Sequence, residues 1–288
     1  MAHIERLWHA TAMAADYDEL YGPLERLFGA VVMHDTRSEL PGVGRRGGMI
    51  WIGDNSIEIG SPLGEASPVR NFVERWGGGM HSLAVGIADL DATIERLAGL
   101  GVEKLADATP GIIFTKPAQT AGLLLEWSAH HTDDDPRWGF PLRERRVPPL
   151  LDVQQMAFVT ALVPDPIAAG ERLAELFGTD VVRRVPDAGP GQVGAVVSLV
   201  DNVLVLVRLP EGGVRKEDWG QDINRARFHA IGLRVPDLRA ATDALAGAGI
   251  GVGPAIDGVE GSVLVASDEL RVPVYLCEEL LPEDPRRG

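Results

Sequence analysis

The sequence contains a single cysteine, Cys277, among 288 residues. One cysteine cannot form an intrachain disulfide, and such sparing use of thiols is typical of a reducing compartment. The first residues, MAHIERLWHATAM, carry charges and no apolar run as long as the core of a secretory signal. From these features we expect a cytoplasmic protein.

Long apolar runs and an excess of positive charge are also missing. No stretch approaches the roughly 18 uninterrupted apolar residues that a membrane-spanning helix needs. Lys and Arg number 27 against 42 Asp and Glu, which gives a formal net charge of -15. Nucleic acids and anionic membrane surfaces attract basic proteins, so we expect neither as a partner. Hydrophobic residues make up 45 % of the chain, as in globular proteins with large cores, and we expect the partner to be a small molecule.

Four segments of the chain share one pattern, a strand followed by a capped helix. Asp16 and Asp165 each precede a helical pattern that ends at Leu-Phe-Gly, and the distance from Asp to Gly is the same in both. Asp89 and Asp237 begin the other two helices, which also end at glycine. Aspartate caps the first turn of a helix and glycine ends the last one. Pro23 lies inside the first pattern, where we expect it to kink the helix or to move its start later.

Each helical pattern is followed by strand patterns. MIWIGDNSIEI and AVVSLVDNVLVLV are predicted hairpins that turn at Asp-Asn, residues 54–55 and 201–202. The repeating unit is therefore β-α-β-β-β. A unit of this size cannot bury its own sheet face, so we expect the modules to pair. The prediction is an α+β fold in which four βαβββ modules form two domains, residues 1–130 and 151–288, joined by a polar linker at 131–150.

Two histidines and two glutamates stand on short apolar strands of the first half: His9 in LWHATAM, Glu58 in NSIEIGSPLG, His81 in GGGMHSLAV and Glu126 in GLLLEWS. Imidazole with carboxylate is a usual ligand set for a divalent metal with open coordination positions. Alternate residues of a strand share a face, so both carboxylates point away from their apolar neighbours. A single strand glutamate is more often solvated, and a single strand histidine is more often a hydrogen-bonded core or surface residue. Together the four residues suggest a metalloenzyme.

The second half of the repeat lacks this ligand set. The corresponding positions carry Phe158, Val205, His229 and either Leu276 or Tyr275. Only one ligand-type residue remains, so we predict a degenerate metal site in the second domain. His229 is then a structural or cleft residue.

Paired βαβββ modules with these four residues on their first and last strands resemble the vicinal oxygen chelate superfamily. That group includes glyoxalase I, methylmalonyl-CoA epimerase, extradiol dioxygenases and bleomycin-resistance proteins. The local likeness is greatest to the epimerases, through IEIGSPLGEASPVRNFVERWGGGMHSLAVGIADLDATIERLAGLGV. It covers residues 3–128 in sequence and 152–280 only as fold. The resemblance implies one divalent metal ion, which would be Co, Ni, Zn, Mn or Fe, at His9, Glu58, His81 and Glu126.

The resemblance also implies an activity. It is that of an isomerase, epimerase or lyase acting through a metal-stabilised enolate on a small substrate with vicinal oxygens, such as an oxo acid, a hydroxy ketone or an acyl-CoA. Glu126 or Glu58 would be the catalytic proton carrier, and the resemblance favours Glu126. Epimerases carry a further glutamate on the strand before Glu58, where this chain has RRGGMI from Arg45. We therefore do not expect a two-base racemisation.

Two other functions stay open. His9, His81 and Glu126 would also form the facial triad of an Fe(II)-dependent extradiol-type dioxygenase, although those enzymes usually keep the metal in the C-terminal domain. A non-catalytic, resistance-type binding protein uses the same cleft without a metal. The second domain could be a lid or a dimer-like partner of the first, and the sequence leaves a homodimer open.

Two further charged groups are weaker candidates. Arg45 and Arg46 would suit a substrate carboxylate or phosphate at the rim of the cleft, but exposed loop charges are the usual explanation. His130 and His131 with the three aspartates at 133–135 have the composition of a metal site. There we expect a solvated linker instead.

Overall fold

The computed structural model describes residues 3–38, 44–130, 134–209 and 225–287. These residues form two eight-stranded sheets with helices packed against them, which confirms the α+β fold. The strands of the first sheet are β1 (Arg6–Met13), β2 (Val31–Ser38), β3 (Arg45–Ile52), β4 (Asn55–Pro62), β5 (Gly79–Gly86), β6 (Lys104–Thr109), β7 (Ile112–Thr115) and β8 (Leu125–Ser128). Those of the second are β9 (Gln155–Val163), β10 (Val181–Arg184), β11 (Val193–Ser198), β12 (Val203–Arg208), β13 (Arg227–Arg234), β14 (Gly251–Gly253), β15 (Ser262–Ala266) and β16 (Val274–Cys277).

The α-helices of the described ranges are α1 (Tyr17–Phe28), α2 (Arg70–Trp76), α3 (Leu90–Gly99), α4 (Pro166–Phe177) and α5 (Leu238–Gly247). All four predicted aspartate caps are confirmed, since each side chain accepts a hydrogen bond from a backbone N–H of the first turn. The first helix begins at Tyr17 and runs through Pro23, so the alternative of a later start is wrong. None of these helices has the length and apolar character that a bilayer crossing needs.

Both sheets have the same strand order. The first runs β2-β3-β4-β1-β5-β8-β7-β6 and the second β10-β11-β12-β9-β13-β16-β15-β14. The two modules of a sheet meet where their first strands pair antiparallel, β1 with β5 and β9 with β13. Each of these strands also pairs in parallel with the last strand of its own module. The four predicted βαβββ modules are therefore confirmed, and the first strands of both modules lie at the centre of each sheet.

One predicted turn is displaced by a residue. Ile52 pairs with Asn55, so the two turn residues are Gly53 and Asp54, and Asn55 already belongs to the strand. Gly53 has a φ of 63°, which is left-handed backbone that glycine adopts without strain. The Asp-Asn pattern predicted the hairpin correctly, but the glycine before it sets the turn position.

The two sheets are tied together through these turns. Asp54 accepts a hydrogen bond from the backbone N–H of Met156 at 2.8 Å, and Asp201 accepts one from Leu7 at 2.7 Å. Each turn thus satisfies a donor at the start of the other sheet's central strand. A shared cluster of buried apolar side chains also runs through both sheets, and it includes Leu7 and Phe177.

The motif Asp-Pro-Arg follows the last strand of each sheet, at residues 135–137 and 284–286. Asp135 is only 1 % exposed and binds the guanidinium of Arg137 at 2.6 Å. Arg137 in turn donates to the backbone carbonyls of Leu7 and Trp8, at 3.1 and 3.0 Å. The prediction of a solvated linker is therefore wrong at Asp135. His131 and Asp133 lie outside the described residues.

Arg137→Met is expected to lower the free energy of unfolding by about 3–5 kcal/mol. The change leaves the carboxylate of Asp135 buried without its cation, which is the costly way to break a buried ion pair. Urea denaturation measures the effect, with Arg143→Met on the exposed stretch nearby as the matched control. Equal stability of the two variants would contradict the role given to the motif.

Candidate metal centre

His9 and Glu126 come together through one small residue between them. His9 on β1 pairs with Ala84 on β5, and Ala84 pairs with Glu126 on β8. Residues paired across neighbouring strands lie on the same face of a sheet, so the three form a row. Because alanine projects little from the sheet, the two longer side chains meet above it. Their closest approach joins His9 Nε2 to Glu126 Oε2 at 3.7 Å.

Glu58 joins the group from the other side of β1. It pairs with Thr11, two residues from His9 and therefore on the same face. The Thr11 hydroxyl donates to Glu58 Oε2 at 3.4 Å, and the same oxygen lies 3.6 Å from His9 Nε2. The neighbours Ile57 and Ile59 pack in the core, as the alternation of the strand predicts.

One ligand atom from each of His9, Glu58 and Glu126 lies within 4.8 Å of the other two. His9 is 3 % exposed and neither ring nitrogen has a hydrogen-bond partner. A buried polar atom without a partner is costly, and ligands at 2.0–2.2 Å from one ion lie roughly 3–4 Å apart. Both the unpartnered imidazole and the spacing of the three groups fit a divalent metal ion.

The two carboxylates control the ionisation of His9. Burial by itself lowers the pKa of this imidazole, but the charges of Glu126 and Glu58 outweigh it and raise the pKa to about 9. His9 therefore holds a proton at neutral pH in the metal-free protein. That proton occupies the place that a metal cation would take between the two carboxylates.

Arg45 holds the remaining oxygen of Glu58. Its Nη2 donates to Glu58 Oε1 at 2.6 Å. Burial raises the pKa of Glu58, but Arg45 and the two histidines His9 and His81 outweigh it and lower the pKa to about 2. Arg45 and Arg46 both lie in β3, so the prediction of exposed loop charges is wrong for them. Arg46 makes no part of the group, since its guanidinium lies 4.0 Å from the ring of Tyr17.

His81 reaches the same side of the sheet through a β-bulge. Met80 pairs with Ala12 and Ser82 with Thr11, so His81 is the extra residue between them. Met80 and Leu83 both pack in the core. In a regular strand two residues three positions apart point to opposite faces, so the bulge is what allows both side chains to face the core. His81 Nδ1 lies 3.2 Å from the hydroxyl of Ser82, and its ring stands edge-on to Phe72 at 4.8 Å. It is not among the three clustered residues, and its assignment as a ligand stays a prediction.

Burial nevertheless leaves His81 in the form that a metal ligand needs. It lowers the pKa of the imidazole to about 4, with help from Arg45 and Arg227 and against the charge of Glu58. His81 is therefore neutral at neutral pH. A neutral imidazole can bind a metal ion without first losing a proton.

The equivalent positions of the second sheet are filled with apolar side chains. Phe158 pairs with Gly232, and Gly232 pairs with Tyr275, so Tyr275 and not Leu276 corresponds to Glu126. Phe158, Val205 and Tyr275 belong to one buried apolar cluster. His229 is also buried, and burial, with a smaller contribution from Arg227, lowers its pKa to about 3. Within the described residues only the first sheet brings together a group able to hold a metal.

Three contributors to this site were missed by the sequence interpretation: Thr11, Ala84 and the clamp of Arg45 on Glu58. Thr11 carries a sequence signal, because it stands two residues after His9 on the same strand. Ala84 and Arg45 carry none, because their roles depend on which strands pair and in which register.

This chain is similar in sequence or in fold to several known proteins. It is 28 % identical over 131 residues to the ethylmalonyl-CoA/methylmalonyl-CoA epimerase of Cereibacter sphaeroides, over 43 % of this chain and 96 % of that protein. A mutant of 4-hydroxymandelate synthase from Streptomyces coelicolor has the same fold over 96 % of this chain and 92 % of its own, with a TM-score of 0.68 and 14 % identity. Methylmalonyl-CoA epimerase from Mycobacterium tuberculosis matches 44 % of this chain and 89 % of its own, with a TM-score of 0.40 and 25 % identity. No protein-family model matches the chain.

Proposed function

Because this chain belongs to the vicinal oxygen chelate superfamily, we propose that it is a divalent-metal-dependent enzyme that isomerises, epimerises or cleaves a small substrate with vicinal oxygens. The observation that carries the proposal is the buried group of His9, Glu58 and Glu126, with an imidazole that has no hydrogen-bond partner. The epimerase of Cereibacter sphaeroides supports this choice of reaction class.

The proposed ligands are the three clustered residues, with His81 as the fourth. Its neutral imidazole lies on the same side of the sheet, within electrostatic reach of Glu58. Two imidazoles and two carboxylates suit Mn, Fe, Co, Ni or Zn and leave positions open on a six-coordinate ion. A bound ion would supply Lewis acidity toward two adjacent oxygens of the substrate.

The proposed base is Glu126, and Arg45 is the reason that it is not Glu58. The ion pair with Arg45 and the low pKa make Glu58 a weak proton acceptor. Glu126 is 4 % exposed and contacts no lysine or arginine in the described part of the chain. No guanidinium of the described residues occupies its oxygens, so they remain available to a proton of the substrate. We assign to it the removal of a proton next to a substrate carbonyl.

Exchange of substrate protons tests the reaction class. Metal-free protein is loaded separately with Mn, Fe(II), Co, Ni or Zn and incubated in D₂O with an oxo acid, a hydroxy ketone and an acyl-CoA thioester. We expect at least one combination to lose the signal of the proton next to the carbonyl in ¹H NMR. Oxygen uptake by the Fe(II) form without any exchange would contradict the proposal and favour the dioxygenase.

Metal binding is expected to release about one proton per ion at pH 7 and to strengthen about tenfold per pH unit up to pH 9. His9 must lose its proton before Nε2 can bind a metal, while Glu58 and His81 are already in the form that binds. Above its pKa His9 is already neutral and the dependence levels off. Isothermal titration calorimetry in two buffers of different protonation enthalpy measures the proton count. Release of no proton at pH 7 would contradict His9 as a ligand.

A further inference from the structure

Arg227 is the one arginine in the described ranges that is buried, with 7 % of its surface exposed. Four of the more shielded arginines each hold a carboxylate at 2.6 or 2.7 Å, and these are Arg45, Arg137, Arg183 and Arg286. Arg227 forms no such pair with any described residue. A buried cation without an anion is costly, so its position calls for an explanation.

The contacts of Arg227 leave its guanidinium poorly satisfied. Nη2 donates to the carbonyls of Gly78 and Met80, and Nε donates to its own strand at Phe228, each at 3.3 Å. These bonds exceed the usual range of about 2.7–3.2 Å for N–H···O. Nη1 is buried and has no partner. Burial lowers the pKa of Arg227 to about 10, so the side chain still carries its charge at neutral pH.

The side chain crosses from the second sheet to the first, where its contacts at Gly78 and Met80 lie on either side of Gly79 and next to His81 in the chain. Arg227 begins β13 and corresponds in the repeat to Gly79, since His229 corresponds to His81. Its guanidinium lies 5.3 Å from the ring of Phe72 and 4.9 Å from that of Trp76. The ring of Phe72 also contacts His81, whose pKa Arg227 helps to lower. One aromatic ring therefore contacts both the proposed fourth ligand and the guanidinium.

We propose that Arg227 binds a carboxylate of the substrate beside the metal centre, so that the second sheet supplies the anion-recognising residue of the first sheet's site. A guanidinium held against aromatic rings keeps its charge, and the N–H groups of Nη1, which have no partner, remain available to a carboxylate. This inference rests on the proposed function and narrows its substrates to those with a carboxylate apart from the vicinal oxygens.

Malonate is a suitable probe, because it presents carboxylates and binding to metal-free protein excludes chelation by an ion. Isothermal titration calorimetry compares the full-length wild type with Arg227→Met and Arg225→Met. Arg225 also lies against Trp76, at 5.4 Å, but it is exposed, which makes it the matched control. We expect Arg227→Met to weaken malonate binding about 10- to 100-fold, the loss of a charge-assisted hydrogen bond, and Arg225→Met to change it little.

Further measurements keep the test decisive if Arg227→Met folds poorly. Arg227→Lys keeps the charge without the planar fork and is expected to bind malonate with intermediate affinity. Neutral malonamide is expected not to bind the wild type. Malonate binding that is equal in wild type and Arg227→Met, absent in wild type, or matched by malonamide would overturn the inference. Metal content of the same proteins reports separately on the proposed function.

Discussion

Glu126→Gln is expected to lower the rate of proton exchange by about 10²- to 10⁴-fold, the usual contribution of a positioned general base. Glutamine keeps the size of the side chain and one oxygen that can face the metal, but it cannot accept the proton. Glu126 contacts no lysine or arginine in the described part of the chain, and the protonated His9 of the metal-free protein keeps Glu58 as its counter-ion after the substitution. Exchange is measured with the substrate and metal that give the fastest rate in the wild type.

Saturating metal separates the two roles of Glu126. The loss is expected to persist when the metal concentration is raised until the site is filled, because the missing function is proton transfer. Glu103→Gln is the control, since Glu103 is exposed and pairs with Lys116 away from the site. Full recovery of Glu126→Gln at high metal concentration would show that Glu126 acts only as a ligand.

His9→Ala is expected to weaken metal binding at least about 100-fold, more than the loss of a residue that only supports a ligand. His9 lies between Glu58 and Glu126 and is the one histidine of the cluster. Without it the two carboxylates and the proposed ligand His81 remain, a set with one imidazole nitrogen instead of two, which binds Co, Ni or Zn less tightly. Competition with a fluorescent chelator measures the affinity for each ion.

Variants of two other histidines serve as the comparison for His9→Ala. His229→Ala removes a buried histidine from the matching position of the second sheet and is expected to leave metal affinity unchanged. His81→Ala is expected to weaken binding by about tenfold or more if His81 is the fourth ligand. An unchanged affinity in His81→Ala would restrict the ligands to the three clustered residues. An unchanged affinity in His9→Ala would contradict the site altogether.

The fold was largely predictable because the chain repeats it. Two aligned copies of a capped helix and a hairpin make the βαβββ unit visible, and alternation along β4 and β8 places Glu58 and Glu126 away from the core. The same alignment predicts the loss of the site in the second half. The sequence left open whether Tyr275 or Leu276 corresponds to Glu126. The pairing of β13 with β16 decides for Tyr275.

Other parts of the site depend on tertiary structure and could not be predicted. The bulge at His81 breaks the alternation on which strand patterns depend, so the orientation of its ring is set by Ser82 and Phe72. Arg45 meets Glu58 only because β3 pairs with β4. Arg227 reaches the first sheet from a strand almost 150 residues further along the chain than its contacts at Gly78 and Met80.

The most direct test of the metal centre is the metal content of the wild-type protein, measured by mass spectrometry after purification without chelators or nickel affinity. The protein is then dialysed against each of Mn, Fe(II), Co, Ni and Zn, beside His9→Ala. The site predicts about one divalent ion per chain in the wild type and only background in His9→Ala. A wild-type protein that stays at background with all five metals would contradict the metal centre.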